Sequence, residues 1–279
     1  MNVITGDLHC HSTHSDGSCS VTQIFRYARR EHLSFLSLTD HDSMAGFEEA
    51  KAASEKTGVG FIPGIECTAK DPVTLRPIHI LCYGMKKVSA LQVLTEETSR
   101  RRKAAKLKMA ELVSAKYPLV SVEDVEYLAR NSSSIFESHI MLALANAGIT
   151  NAPYGELMSS LIGKQGSCHV PIDYPLAEEV IRIMHDSGGL VIIAHPGEFD
   201  SMDFTEKAAK NGEIDGIECF HYANTPEVTA HCLDIAKLNG LIITGGSDFH
   251  GMNSVHPHPI GFCRTDETNL KRIIEHSIR

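Results

Sequence analysis

Asp7-Leu8-His9-Cys10-His11-Ser12-Thr13 is the stretch whose reading decides the fold. Val3 to Leu8 reads as a strand, and His9 and His11 stand two positions apart, so on extended backbone both imidazoles project to one face and can hold one ion together. Ser247-Asp248-Phe249-His250 repeats the device near the far end of the chain. A site that uses both segments requires the fold to close upon itself.

The segments between carry the same signature. Asp16, Thr39-Asp40-His41-Asp42, Glu66, Ala194-His195-Pro196 and Glu218 with His221 fall where strand-like runs are ending, whereas His79 lies near the start of its run. Strands and helices alternate through the first third: a helix from Val21 with Ser20 and Gln23 in capping-box spacing, Phe35 to Thr39, a helix near Phe47 to Lys56 closed by Gly58, Gly60 to Cys67, then Ile78 to Tyr83. Only helices follow, near Ser89 to Lys116, Val122 to Arg130, Ile135 to Ala147 and Tyr154 to Ile162, with Ser89/Gln92 and Ser121/Asp124 as N-terminal signals. Alternation then resumes to a closing helix from Glu267. Repeated strand-helix units predict a parallel sheet. Polar residues gathered at several strand ends favour a barrel over an open sheet. The expected organisation is an α/β barrel over 1–86 and 170–279 with a helical insertion, 87–169, able to roof the site.

Composition sets the bounds. The 279 residues suit one α/β barrel, and 42% hydrophobic with 22% charged residues is ordinary for a globular chain. A net charge of −9 argues against coating nucleic acid with the whole surface, so no stable duplex binding is expected. Eight cysteines stand singly without a Cys-x-x-Cys pair, which argues against both a zinc ribbon and a dense disulfide framework. The first twenty residues hold Asp7, His9, His11, His14 and Asp16, which is no signal-peptide core, and no apolar run is long enough to span a bilayer. A cytoplasmic location, without membrane attachment, is expected.

The unusual number is 16 histidines. Imidazole and carboxylate together hold Zn, Mn or Fe while leaving positions open for water or substrate. Glu66, with two oxygens, is the natural bridge between neighbouring ions, and a hydroxide generated there is the expected nucleophile. Asp7 and Asp40 are expected to orient ligating groups, and His221 and His14 are the candidates for general acid.

Asp7-Leu8-His9-Cys10-His11-Ser12-Thr13 with Ser15-Asp16-Gly17, Thr39-Asp40-His41-Asp42, Gly64-Ile65-Glu66, Ile78-His79-Ile80, Ala194-His195-Pro196 and Gly246-Ser247-Asp248-Phe249-His250 resembles the PHP (polymerase and histidinol phosphatase) family. The chain looks most like its nucleoside 3′,5′-bisphosphate phosphatase and RNA 5′-exonuclease branch. The resemblance implies a distorted (β/α)7 barrel with two or three divalent ions. His9, His11, Glu66 and Asp248 would hold one, Glu66, His79 and His195 a second, and Asp16, His41 and His250 a third. It implies hydrolysis of a phosphate ester of a small metabolite, a nucleotide or the 5′ end of short RNA.

Substrate selection is less marked. The run Arg100, Arg101, Arg102, Lys103, Lys106 and Lys108 has no acid within it, and Arg101, Arg102 and Lys106, with His139 of the insertion, are the expected phosphate contacts. Two features depart from the branch: Glu137 stands where relatives have Arg, and Pro259-Ile260-Gly261-Phe262 lacks a Gly-Arg pair. Histidinol- or sugar-phosphate phosphatase, C–N bond hydrolysis of the amidohydrolase kind and a non-catalytic metal-stabilised module are the competing readings. Oligomeric state is not encoded legibly.

Overall fold

Strand faces alternate so that one side of each strand meets helices and the other fills a barrel. The computed structural model describes residues 4–278. In chain order it runs β1 (Gly6–Asp7), α1 (Val21–Arg30), β2 (Phe35–Leu38), α2 (Phe47–Thr57), β3 (Gly60–Lys70) and β4 (Pro77–Tyr83). The helical stretch follows as α3 (Ser89–Lys116), α4 (Val122–Leu128), α5 (Glu137–Asn146) and α6 (Glu156–Leu161). The chain then returns to the sheet with α7 (Ala177–Asp186), β5 (Leu190–Ile193), α8 (Met202–Lys210), β6 (Gly216–Phe220), α9 (Pro226–Asn239), β7 (Ile242–Gly245) and α10 (Glu267–Ile278). Val3, the expected start of the first strand, lies outside the described residues.

The seven strands form one sheet in sequential order. His11 N donates to Phe249 O at 2.9 Å and Cys10 bridges Phe249, so the segment after β1 lies against the segment after β7 and the barrel is nearly closed. This is the closure that the two-ended ligand set requires.

Strand β4 departs from the expected parallel sheet. It pairs antiparallel with both β3 and β5, because Asp71 to Arg76 forms a turn where a crossover helix would otherwise stand. A reversed strand brings its beginning to the barrel end where its neighbours finish. His79 therefore joins the other strand-end residues although it lies near the start of β4.

Period-2 alternation sorts the side chains. On β4, Ile78, Ile80 and Cys82 join the large cluster beneath α7, α8 and α9, whereas Leu81 and Tyr83 join Leu8, Ile62, Ile192 and Ile242 in a second cluster. His79 shares the face of Leu81 and Tyr83, so that face is apolar at one end and polar at the other. Tyr83 is fully buried and its hydroxyl donates to Leu8 O at 2.8 Å.

The capping boxes at Ser20/Gln23 and Ser121/Asp124 form as read, and Gly58 closes α2 in the left-handed conformation at φ 75°. Ser89 does not cap: α3 starts from Val88, with no side-chain cap. The helical stretch has its own core of Met109, Val113, Val125, Ile140, Leu144 and Leu161, while Leu91 at the start of α3 packs into the barrel cluster. Among the described residues no helix is long and apolar enough to cross a membrane.

Gly246 marks the tightest approach in the closure. A Cβ there would lie 2.3 Å from His9 Cβ and 2.6 Å from His9 N, atoms that cannot swing aside. Gly246→Ala should therefore lower stability by ~1–3 kcal/mol, the usual range for overpacking. Urea unfolding of chelated protein checks this, and an unchanged midpoint would show that the two chain ends are not pressed together.

Candidate metal centre

The Glu66 carboxylate is fully buried and stands at the centre of the polar barrel end. Oε1 lies 3.3 Å from His9 Nε2, 3.0 Å from His79 Nδ1 and 3.1 Å from His195 Nε2. Oε2 lies 3.3 Å from His11 Nε2 and 3.0 Å from His41 Nδ1. Asp248 Oδ1 approaches His9 Nε2 at 3.4 Å and His11 Nε2 at 3.1 Å. Asp16 faces His250 Nε2 at 3.3 Å and His41 Nε2 at 3.7 Å. All nine residues expected as ligands thus meet in one cluster.

Their subdivision is less sharp than the expected three sets. His11, Asp16, His41 and His250 form one group with donor atoms within 4.8 Å of one another, but His41 also groups with Glu66 and His79. Asp248 and His250 do not act as a same-face pair on a strand. Strand β7 has ended at Gly245, and Asp248 adopts φ 49°, which sends its carboxylate toward His9 and His11 and the His250 ring toward Asp16.

Left-handed backbone recurs here. Asp42, His195 and Asp248 have φ of 47°, 24° and 49°, conformations that cost ~1–3 kcal/mol each for residues with a Cβ. Buried acceptors hold these turns in place. Asp7 accepts from Ser247 N (2.9 Å), Ser247 Oγ (2.6 Å) and Gly261 N (2.7 Å), and Asp40 accepts from Ser12 N (2.7 Å), Ser12 Oγ (2.8 Å) and Ser15 Oγ (2.6 Å). Both were expected to orient ligating groups; their bonds go to backbone and serine, so they position chain segments and not imidazoles.

Glu218 takes that role instead. Its oxygens lie 3.0 and 3.1 Å from His9 Nδ1 and it accepts from His195 N at 3.0 Å. With its Nδ1 proton donated to Glu218, His9 turns the Nε2 lone pair toward Glu66 and Asp248. Glu198 stands 3.1 Å from His195 Nδ1, close enough to act by charge but not aligned as a hydrogen bond. Glu218 was visible in sequence as a metal-capable residue, but its pairing with His9 spans the whole barrel. Glu198, three residues after His195, carried no separate signal.

The electrostatics follow from this density. Burial works to raise the Glu66 carboxyl, but His79, His9 and His41 outweigh it and hold the group well below the usual carboxylate range. Burial likewise works against a charged His195, yet Glu198 and Glu66 raise its imidazole to about 9. Anionic carboxylates beside basic nitrogens are what a cation-binding site needs.

The orphaned atoms test whether a metal fits. His9 Nε2, both nitrogens of His11, Asp16 Oδ1, His41 Nδ1 and Glu66 Oε2 are buried without a hydrogen-bond partner. Orphans of this kind are rare unless an ion or water serves them. They gather at one barrel end, with His11 Nε2 facing Glu66 and Asp248 and His11 Nδ1 facing Asp16, and their mixture of imidazole and carboxylate suits divalent transition ions. The residues present therefore fit the group.

Neither candidate for general acid reaches the cleft wall. His14 turns its Nε2 toward Glu49 at 3.4 Å. His221 accepts from Ala223 N on Nδ1 at 3.1 Å, so the neutral ring keeps its proton on Nε2, which lies 3.4 Å from Asp248 Oδ2. No acceptor is aligned for that proton, and His9, His221 and Asp248 form a further group with ligand atoms within 4.8 Å of one another.

The expected substrate contacts are also already engaged. Arg101 pairs with Glu97, and Arg102 is buried against Asp42. Lys106 is buried and pairs with Glu137, while His139 Nδ1 accepts from Phe136 N at 3.0 Å and caps its own helix. The basic run is not a free anion-steering face. Glu97 and Glu111 on the same helix compensate Arg100, Arg101 and Lys108, while Asp42 and Glu137 reach Arg102 and Lys106 from elsewhere in the sequence.

Above the centre lies a cleft of about 790 Å³. Asp16, His41, Glu66, His79, Asp248 and His250 form its floor. Glu137, Ser138, Tyr154 and Met158 face it from the helical stretch, with Phe199 and Tyr222 on the barrel side. Ser138 Oγ and Tyr154 Oη are buried hydroxyls without partners.

The family model described as PHP domain matches residues 7–187. The chain is 38% identical to a phosphoribosyl 1,2-cyclic phosphate 1,2-diphosphodiesterase of Eggerthella lenta over 92% of this chain and 97% of that protein. It is 28% identical to a 5′-3′ exoribonuclease of Haemophilus influenzae, covering 88% of this chain and 89% of the relative. A Bifidobacterium adolescentis crystal structure, described as a candidate metal-dependent phosphoesterase, superposes with a TM-score of 0.87 at 27% identity over 98% of this chain and 96% of that one. Agreement in both sequence and fold along nearly the full length means that the chain belongs to the PHP domain family and is a metal-dependent phosphoesterase.

Proposed function

We propose that the protein hydrolyses a phosphate ester of a small sugar or nucleotide, and that a cyclic ribose phosphodiester, the substrate class named for the Eggerthella lenta relative, is preferred over nucleoside bisphosphates and RNA 5′ ends. The observation that carries the preference is relatedness: identity is 38% to the Eggerthella lenta relative and 28% to the Haemophilus influenzae exoribonuclease. Glu137 faces the cleft and its neighbour Lys106 is spent on it, so that wall offers hydroxyls and a carboxylate to whatever lies beyond the reacting phosphate. A substrate with a second phosphate, phosphoribosyl 1,2-cyclic phosphate included, would have to keep that anion clear of Glu137 or draw Lys106 away from it.

His9, His11, Asp16, His41, Glu66, His79, His195, Asp248 and His250 would hold two or three divalent ions, Mn, Fe or Zn, with Glu66 shared between neighbours. Such ions supply Lewis acidity toward phosphate oxygens and lower the pKa of water. The chain's own groups do the rest. Ser138 Oγ and Tyr154 Oη are placed to donate to sugar or phosphate oxygens, and Phe199, Met158 and Tyr222 give apolar walls that exclude water from the ester. We read 87–169 as a cap unit because it has its own core, and place the protein in the cytoplasm, where phosphorylated metabolites are held.

Chelated protein reloaded with Mn(II), Fe(II) or Zn(II) provides the test. Turnover should appear only on loading, with kcat/KM for phosphoribosyl 1,2-cyclic phosphate at least about tenfold above that for nucleoside 3′,5′-bisphosphate, 5′-phosphorylated short RNA and histidinol phosphate, a margin of ~1.4 kcal/mol. Equal or better turnover of a bisphosphate or RNA would overturn the preference, and inertness toward every ester would overturn the function.

Glu137→Gln isolates the cap argument. It releases the Lys106 ammonium toward the cleft, so KM for the nucleoside bisphosphate should fall on the order of tenfold, ~1.4 kcal/mol, while kcat changes little. A bisphosphate KM that stays put would remove Glu137 from the account of specificity.

A further inference from the structure

Arg102 belongs to α3, outside the ligand set, yet its guanidinium touches both segments that deliver central ligands. Nη2 donates to Asp42 Oδ2 at 2.5 Å and to Thr68 Oγ1 at 3.2 Å. Asp42 follows His41, holds the left-handed conformation at φ 47°, and donates its own N–H to Glu66 O at 2.8 Å. Thr68 lies two residues beyond Glu66 on the same face of β3. The Phe136 ring packs on both partners, with the Arg102 guanidinium 4.8 Å from its centroid and the His41 ring stacked at 5.9 Å.

We propose that Arg102 is a positioning residue that sets His41 against Glu66 and thereby fixes the affinity of the ion bounded by His11, Asp16, His41 and His250, an inference that rests on the metal reading above. A buried ion pair is weak evidence of net stabilisation, because desolvation offsets most of the attraction. Arg102 even leaves Nη1 buried without a partner. What the guanidinium supplies is geometry: its Nη2 reaches Asp42 and Thr68 together while the planar group packs on the Phe136 ring, and a lysine has no plane to stack there. These two bonds hold the turn that a left-handed Asp42 would otherwise relax.

The test titrates chelated wild type and variants with Mn(II) alone, reading free ion by electron paramagnetic resonance and bound ions per chain by elemental analysis. Arg102→Met should bind one ion about 10–100-fold more weakly, the usual consequence of removing a group that orients a ligand, with the other ions unaffected. Arg102→Lys should show a smaller loss at the same site. Arg101→Met, whose side chain is exposed and paired with Glu97, should match wild type. Circular dichroism and cooperative melting establish that each variant is folded, and if Arg102→Met is not, Arg102→Lys is judged by the same criterion. Unchanged affinity in the Arg102 variants, uniform weakening of every ion, or an equal loss in Arg101→Met would overturn the inference. Failure of wild type itself to bind Mn(II) would instead overturn the metal reading, and the inference with it.

Discussion

The carboxylate of Glu66, buried among five histidines at 3.0 to 3.3 Å, is the constraint that the rest of the structure serves. An isolated ionised carboxylate in an apolar interior is too costly to persist, and it would neutralise by taking up a proton. Here the surrounding imidazoles reverse that tendency, so Glu66 stays anionic and its second oxygen is left for a cation. Gathering those rings dictates topology. His9 and His11 come from the first strand-end, His41 from the second and His195 from the fifth, and His79 reaches the same end only because β4 runs backwards.

Around this centre the chain spends buried acceptors on its own turns. Asp7 ties the beginning of the chain to Ser247 and Gly261, and Asp40 ties the Ser12 to Ser15 loop to the second strand-end. Each carboxylate closes a long sequence separation with several short bonds. Such bonds offset the strain of three left-handed residues beside the ligands, and they keep donor atoms aimed before any ion arrives. Preorganisation of this kind reduces the ordering cost of binding.

Much of this was legible in sequence, and the limits have a physical pattern. The spacing of His9 and His11, the helix caps at Ser20 and Ser121 and the order of strand-end residues are local or periodic features, and local features survive in a string of letters. The reversal of β4 was not legible from strand-helix alternation, because a short turn between β3 and β4 replaces a helix. Yet His79 out of place near a strand start was its trace. The basic run misled for the opposite reason. Arg102 and Lys106 look free along α3, but Asp42 lies 60 residues away and Glu137 31 residues away, and only folding brings these charges together. Glu218 was seen as metal-capable, while its bond to His9 across 209 residues depends on barrel closure.

The division between barrel and insertion separates two kinds of specificity. All nine gathered ligand candidates lie outside 87–169, whereas Glu137, Ser138, Tyr154 and Met158 lie within it. On the function proposed above, chemistry at phosphorus would be a property of the barrel, and the group beyond the phosphate would be judged by the insertion. The two are not independent, because Arg102 and Phe136 cross from the insertion to the turn bearing His41. A change in the cap that shifts α3 would be felt at the ligands, while one confined to Glu137 or Ser138 would alter the wall alone. On that reading substrate preference would change through the exposed wall of the insertion without disturbing the ligand candidates, provided the Arg102 contacts stay in place.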